Sequence, residues 1–241
     1  MWCIGIDEAG RGPVIGPLVV AALALPEADV PLLVEAGVTD SKLLSEERRT
    51  ALASWIQETA EARGWHIAIH RSEPADIDLA MSTSSLNAHE VELFARLAHQ
   101  VRPEAAGVLQ LDACDADERR FGNLVAGRLK QWPWEGWTID SRHGADLHLP
   151  AVGGASILAK VSRDSAVEEI AADLDMDLGS GYPSDPKTIA ALPQLLEGTE
   201  PHTCLRWRWK TVVRAWQERH GCDPPPRSGG TAVGQSTLDL F

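Results

Sequence analysis

Hydrophobic positions along this chain switch between two rhythms, and each switch marks an element. Residues 2–6, Trp-Cys-Ile-Gly-Ile, form an apolar run too short for a helix, which predicts a buried strand. Residues 14–25 are apolar and β-branched enough for a second strand, disturbed at its start by Gly16 and Pro17, and the two read as a hairpin. Ser45 precedes an acidic pair and a helical pattern through Ala51, Leu52, Trp55, Ile56 and Thr59, which Gly64 stops. Trp65, Ile67 and Ile69 then alternate with His66, Ala68 and His70, giving a third strand.

Ser84 or Ser85 caps a second helix whose inner stripe is Val91, Phe94, Leu97, Ala98 and Val101, closed by Pro103. Residues 108–113 read as a short strand ending in acid, 137–140 as a fifth strand, and 151–174 as a long helix with Val152, Ala155, Leu158 and Val161 along one side. Beyond it the pattern stays helical to Gly221, with Asp185-Pro186 as cap and first turn and Pro193 ending or kinking that helix. Strands that come first and then alternate with helices predict an α/β fold: a mixed sheet flanked by helices, followed by a helical C-terminal portion. Residues 223–234 are rich in Pro, Gly and Ser and read as a flexible linker that carries a short apolar end, Leu238, Leu240 and Phe241. The expected organisation is one catalytic domain over 1–221, with a core to about 150 and a helical extension over about 151–221, then a tail over 222–241.

Composition narrows the partners. No apolar run approaches the roughly 20 residues of a membrane span, and the first residues lack the basic stretch of a secretion signal, so a cytoplasmic protein without membrane contact is expected. Cys3, Cys114, Cys204 and Cys222 are far apart with no CxxC pair, which predicts reduced thiols rather than a disulfide framework or zinc ribbon. A net charge of −13 excludes nucleic-acid binding through the overall field, so any such contact must be local. Only five of the 22 basic residues are lysine, and the acidic excess is spread over many segments; this predicts adaptation to high intracellular salt. One compact domain with a small apolar tail predicts a monomer.

Chemistry concentrates in Asp7-Glu8-Ala9-Gly10-Arg11-Gly12-Pro13, two carboxylates at a strand end followed by a glycine-flanked arginine, which reads as a metal site beside an anion hook. Adjacent strand side chains point to opposite faces, so Asp7 and Glu8 reach one cluster only if the strand ends or twists there, as the glycines permit. Asp112 ends the fourth strand, and Asp146 lies in a Gly-Ala-Asp loop before the long helix. Four converging carboxylates repel unless cations hold them. All-oxygen ligation favours Mg²⁺ or Mn²⁺, and two ions roughly 3.5 to 4 Å apart suit in-line phosphodiester hydrolysis. On spacing alone, Asp112 and Asp146 also read as turn residues or caps, and Asp115, Asp117 and Glu118 crowd Asp112 so closely that no one of them stands out as a ligand. Tyr182, the single tyrosine, reads either as packing or as a ring presented by the loop of Gly179, Gly181 and Pro183. Arg206, Lys210 and Arg214 form a basic stripe at i, i+4 that could hold a duplex backbone, whereas Trp207 and Trp132-Pro133-Trp134 are expected to pack.

Five blocks carry a resemblance: DEAGRGP at 7–13, TDSKLLSEERR at 39–49, LDA at 111–113, GADLHLPAVGGASILAKVSRD at 144–164 and GSGYPSDPKT at 179–188. In this order they resemble type 2 ribonuclease H, archaeal-like, over most of residues 2–220. The resemblance implies a ribonuclease H-like five-stranded core with a helical C-terminal extension and a place in DNA replication and repair. It also implies cleavage of the RNA strand of RNA·DNA hybrids and at single ribonucleotides embedded in duplex DNA, with water attacking and 5′-phosphate and 3′-hydroxyl ends remaining. It makes Asp7, Glu8, Asp112 and Asp146 the ligands of two Mg²⁺ or Mn²⁺ ions, Gly10, Arg11 and Gly12 the reader of the ribose 2′-OH, and Tyr182 the junction sensor. Lys42, Lys160 and Arg163 fall in these blocks as candidate phosphate contacts or carboxylate partners. Where the family commonly has Tyr-Pro and paired alanines, this chain has Leu147-His148-Leu149-Pro150 and Gly153-Gly154, a more permissive backbone that brings His148, expected on the surface, close to the metal region.

Gln235-Ser236-Thr237-Leu238-Asp239-Leu240-Phe241 is similar to a compact peptide that binds PCNA-type sliding clamps, with Gln235, Leu238, Leu240 and Phe241 as its contacts. Two rival readings stand beside this one. A type 3 ribonuclease H typically has an extra N-terminal domain, for which Asp7 leaves no room, and a non-catalytic clamp-tethered adaptor would need the four acids to be merely structural.

Overall fold

The structure is a computed structural model that describes residues 1–227; Gln235, Leu238, Leu240 and Phe241 lie outside the described residues. In chain order the elements are β1 (Trp2–Ala9), β2 (Leu18–Pro26), α1 (Val30–Ala36), α2 (Glu46–Arg63), β3 (His66–Ser72), α3 (Pro74–Thr83) and α4 (Leu86–Val101). They continue with β4 (Gly107–Asp112), α5 (Glu118–Ala126), β5 (Trp137–Arg142), α6 (Pro150–Leu174), α7 (Pro186–Leu195) and α8 (Lys210–His220). The five strands form one sheet in the order β3-β2-β1-β4-β5. β1 runs antiparallel to β2, with Trp2 opposite Pro26 and Ala9 opposite Val19, and parallel to β4, with Ile6 opposite Leu111. The sheet is therefore mixed.

Residues 18–25 of β2 are buried without a break, so its continuous apolar sequence reflects a strand covered on both faces. It begins four residues later than the apolar run predicts, because Gly16 takes φ 83° and precedes a proline. β3 also departs from its predicted alternation: Trp65 and Ala68 are buried while Ile69 is 37% exposed. Trp65 lies just before the strand, where its ring packs edge-on at 6.4 Å from Trp55 and its indole donates to Asp29 at 2.8 Å. It therefore sits out of phase with the residues that follow. Three short helices, α1, α3 and α5, were not expected from periodicity, and the stretch between α6 and α8 is less helical than the sequence pattern predicts.

The elements group into two compact units whose sequences interleave. The first comprises Met1–Arg11, Val19–Arg71 and Asn87–Asp164 and holds the central strands. Its core includes Leu23, Leu25, Leu52, Ile56, Ala155 and Leu158. Here Gly5 is required by close approach, since a Cβ on it would lie 2.1 Å from the backbone carbon of Ala151 in α6. Gly153 and Gly154 sit inside α6: a Cβ on Gly154 would meet Leu23 of β2 at 2.6 Å, and one on Gly153 would lie 3.1 Å from the Asp146 carbonyl, so both glycines serve close approach.

The second unit comprises Gly12–Leu18, Ser72–Leu86 and the chain from Ser165. Val14, Ile15, Leu178, Leu192, Leu205 and Trp216 are among its core residues. Arg206 precedes α8 and is buried, donating to the carbonyl of Gly16 at 3.0 Å and lying 4.9 Å from the Trp209 ring centre. It therefore leaves the predicted basic stripe, and Arg214 is paired with Glu218 at 2.7 Å. Trp207 is buried and donates to the carbonyl of His202 at 3.1 Å, while in the first unit Trp132, Trp134 and Trp137 pack edge to face. The four cysteines are free thiols, and no helix among the described residues is long and apolar enough to cross a membrane.

Candidate active site

Strand register brings the first acids together. Pairing of β1 with β4 stops at Ile6 and Leu111, so the next residue on each strand, Asp7 and Asp112, lies at the same level with side chains to the same face. Of the two possibilities, an end or a twist, β1 does not end at Glu8: it stays paired with β2 through Ala9 and is released on the β4 side only. Gly10, at φ 88°, then turns the chain. The carboxylate oxygens of Asp7, Glu8 and Asp112 include one set within 4.8 Å of one another. The Glu8 amide donates to Asp7 at 2.7 Å. Asp146 sits in a single 3-10 turn, Ala145–Leu147, whose first amide donates to Asp112 Oδ1 at 2.7 Å. Asp112 thus anchors the turn that carries Asp146.

Burial raises Asp7 well above the usual carboxylate range, and the charges of Glu8, Asp112 and Asp146 push the same way against a hydrogen bond from Ser156. Glu8 is pushed up to about 7 by burial and then by Glu90 and Asp112. Asp112 is raised by burial and by Asp146, although the amides of Ala145 and Gly144 and the charge of Lys42 oppose the shift. Asp146 is raised by burial and by Asp40. Burial disfavours the Lys42 ammonium, yet Asp146, Asp40, Asp7 and Asp112 outweigh it and hold the lysine above its usual value.

Such a group of acids is uncomfortable without positive charge. Glu8 Oε2 is buried with no hydrogen-bond partner among the described residues. Three carboxylates that approach within 4.8 Å, one of them with a buried oxygen left without a partner, are a donor set that fits a hard divalent cation.

The other candidate residues separate. Asp117 caps α5 by accepting from the Arg120 amide at 2.9 Å, Glu118 accepts from the His143 amide at 3.0 Å, and Asp115 pairs with Arg120 at 3.2 Å. The crowding around Asp112 thus resolves into local structure. Lys160 and Arg163 both engage Asp164, at 2.6 and 3.1 Å, and Arg163 is only 2% exposed, which leaves it no surface for a phosphate. His148 is exposed, as expected.

The sequence pattern missed the setting of Arg11. Its guanidinium lies 3.1 Å from Glu90 and donates to Asn87 Oδ1 and the carbonyl of Cys114, so it braces the turn against α4 while about a third of the side chain stays exposed. Glu90 belongs to the inner face of α4, four residues before Phe94 and seven before Leu97. A carboxylate where the helical period calls for an apolar side chain was the available signal. In the second unit, a Cβ on Gly12 would meet the Tyr182 ring at 3.4 Å, and the Gly181 carbonyl before that ring accepts from the Val14 amide at 2.8 Å.

A mixed sheet of this order, flanked by helices and carrying acids on adjacent strand ends, is the ribonuclease H-like fold. Comparison with known proteins defines it further. The family model described as Ribonuclease HII matches residues 4–212. Ribonuclease HII of Methanococcoides burtonii is 39% identical over 217 residues, covering 89% of this chain and 99% of that protein. Ribonuclease H2 from Pyrococcus horikoshii OT3 superposes with a TM-score of 0.77 at 31% identity, over 90% of this chain and 98% of that one. The chain solved in the PCNA:RNase HII complex from Archaeoglobus fulgidus superposes with a TM-score of 0.75 at 33% identity, over 87% of this chain and 96% of that one. The chain belongs to the ribonuclease HII family: it is a type 2 ribonuclease H, a hydrolase acting on RNA–DNA hybrids. The type 3 and adaptor readings fall away.

Proposed function

We propose that Asp7, Glu8, Asp112 and Asp146 hold two divalent cations, Mg²⁺ or Mn²⁺, and that the enzyme cuts both hybrids and single ribonucleotides embedded in duplex DNA. The observation that carries this reading is the approach of Asp7, Glu8 and Asp112 with one buried Glu8 oxygen unsatisfied. When bound, the cations lower the pKa of attacking water and stabilise charge on the leaving 3′-oxygen. Asp7 and Asp112, level on neighbouring strands, fix the spacing of the site, and Lys42 supplies positive charge at its edge. The amides of Gly144 and Ala145 orient Asp112, and Ser156 orients Asp7. The backbone of Gly10, Arg11 and Gly12 reads the ribose 2′-OH, since a turn with two glycines lets peptide groups come close to the sugar, and Tyr182, whose ring lies beside Gly12, senses the junction.

The PCNA complex of the Archaeoglobus fulgidus protein supports a clamp as partner here, with Gln235, Leu238, Leu240 and Phe241 as the contacts. Incubation with Mg²⁺ or Mn²⁺ and duplexes carrying either an RNA strand or one ribonucleotide tests the reading. Both substrates are expected to yield 5′-phosphate and 3′-hydroxyl ends. Cleavage of neither, with binding retained, would sink it.

A further inference from the structure

Glu90 on α4 is fully buried, and Oε2 of its carboxylate lies 3.1 Å from Arg11 Nη1. The same guanidinium donates to Asn87 Oδ1, one turn earlier on α4, and to the carbonyl of Cys114 just past β4. A guanidinium is a rigid planar fork, so partners on two elements fix both its place and its orientation. Arg11 is the middle residue of the turn at 10–12, and Gly10 on one side holds a left-handed φ of 88°. Glu90 supplies the charge in this set of partners that tie the turn to α4 and to the chain just past β4. With the guanidinium of Arg11 held by these partners, the turn offers a ligand its peptide N–H and C=O beside a partly exposed, fixed side chain.

We propose that Glu90, acting through Arg11, is a positioning residue for ribose recognition: it sets the backbone of residues 10–12 at the register that distinguishes a 2′-hydroxyl from a deoxyribose. This rests on the reading of that turn as the ribose-sensing element. The competing role is in the metal site, because a carboxylate oxygen of Glu90 also lies within 4.8 Å of one on Glu8.

Steady-state kinetics on the full chain separates these roles, with Glu90→Gln, Asn87→Ala and the double variant Arg11→Lys/Glu90→Gln. The substrate is a duplex with one ribonucleotide, and the same duplex without it serves as competitor. For Glu90→Gln we expect KM to rise about tenfold with kcat within about threefold, and the preference over the all-DNA competitor to shrink in proportion. The Mg²⁺ half-saturation concentration stays as in the parent, and the double variant loses little beyond the single one because both act on one contact. Asn87→Ala shifts KM the same way by a smaller factor and carries the test if Glu90→Gln does not fold. An unchanged KM in either folded variant overturns the proposal. So does a loss confined to kcat with a shifted Mg²⁺ half-saturation, which would assign Glu90 to the metal site. A parent enzyme that cuts hybrids but shows no preference for the ribonucleotide duplex would instead remove the ribose reading itself, and Glu90's role with it.

Discussion

Asp7 is buried between two other carboxylates, and no other side chain in the site combines so much burial with so much like charge. Asp7→Asn keeps the shape and removes one charge. Cleavage is expected to fall by roughly three orders of magnitude, about 4 kcal/mol of barrier, in single-turnover assays. The melting temperature without metal should hold or rise, since one source of repulsion is gone. The pH dependence follows from Glu8, whose pKa stands at about 7 in place of 4.5. Between those values the folded protein keeps a proton that the unfolded chain has shed, so stability without metal falls as pH rises through that window. A cation favours the deprotonated carboxylate, so Mg²⁺ should raise the melting temperature more at pH 8 than at pH 5.5. Calorimetry at the two pH values checks the sign; an equal or smaller gain at pH 8 would contradict it.

The approach of α6 to β1 is a contact between backbones, with Gly5 against Ala151, and backbone cannot rotate out of the way. Gly5→Ala is therefore expected to destabilise by about 3 kcal/mol or more, read as a lowered urea midpoint. Long elements are legible in the amino-acid order alone. α2 carries Ser45 accepting from the Arg48 amide at its start and a left-handed Gly64 at its end, α4 sustains a helical stripe over several turns, and α6 is long and apolar, buried on every side over 151–159. α1, α3 and α5 span seven, ten and nine residues, too few turns for a stripe to stand out from neighbouring loops. Their local marks are short ones: Pro31 near the start of α1, the reciprocal Glu73 and Asp76 cap of α3, and the Asp117 cap of α5.

The chain carries a net charge of −13 while serving a polyanionic substrate, so its contacts with nucleic acid must be local and its overall field repulsive. Screening that field by salt costs such an enzyme little, and turnover is expected to persist in molar KCl; loss of activity there would remove the halophilic reading. Removing residues 228–241 should leave turnover on free substrate intact while abolishing binding to a PCNA-type clamp, measured by surface plasmon resonance. Order along the chain determined the mixed α/β architecture and the acids at strand and turn positions, because periodicity, caps and short motifs are local properties. Which acids meet was a matter of packing: parallel register sets Asp7 beside Asp112, a cap claims Asp117, and an arginine claims Asp115. The inward turn of Arg11 onto Glu90 had the same origin, since residues 79 apart in sequence become neighbours only when α4 packs beside the end of β1, and no local pattern encodes that distance.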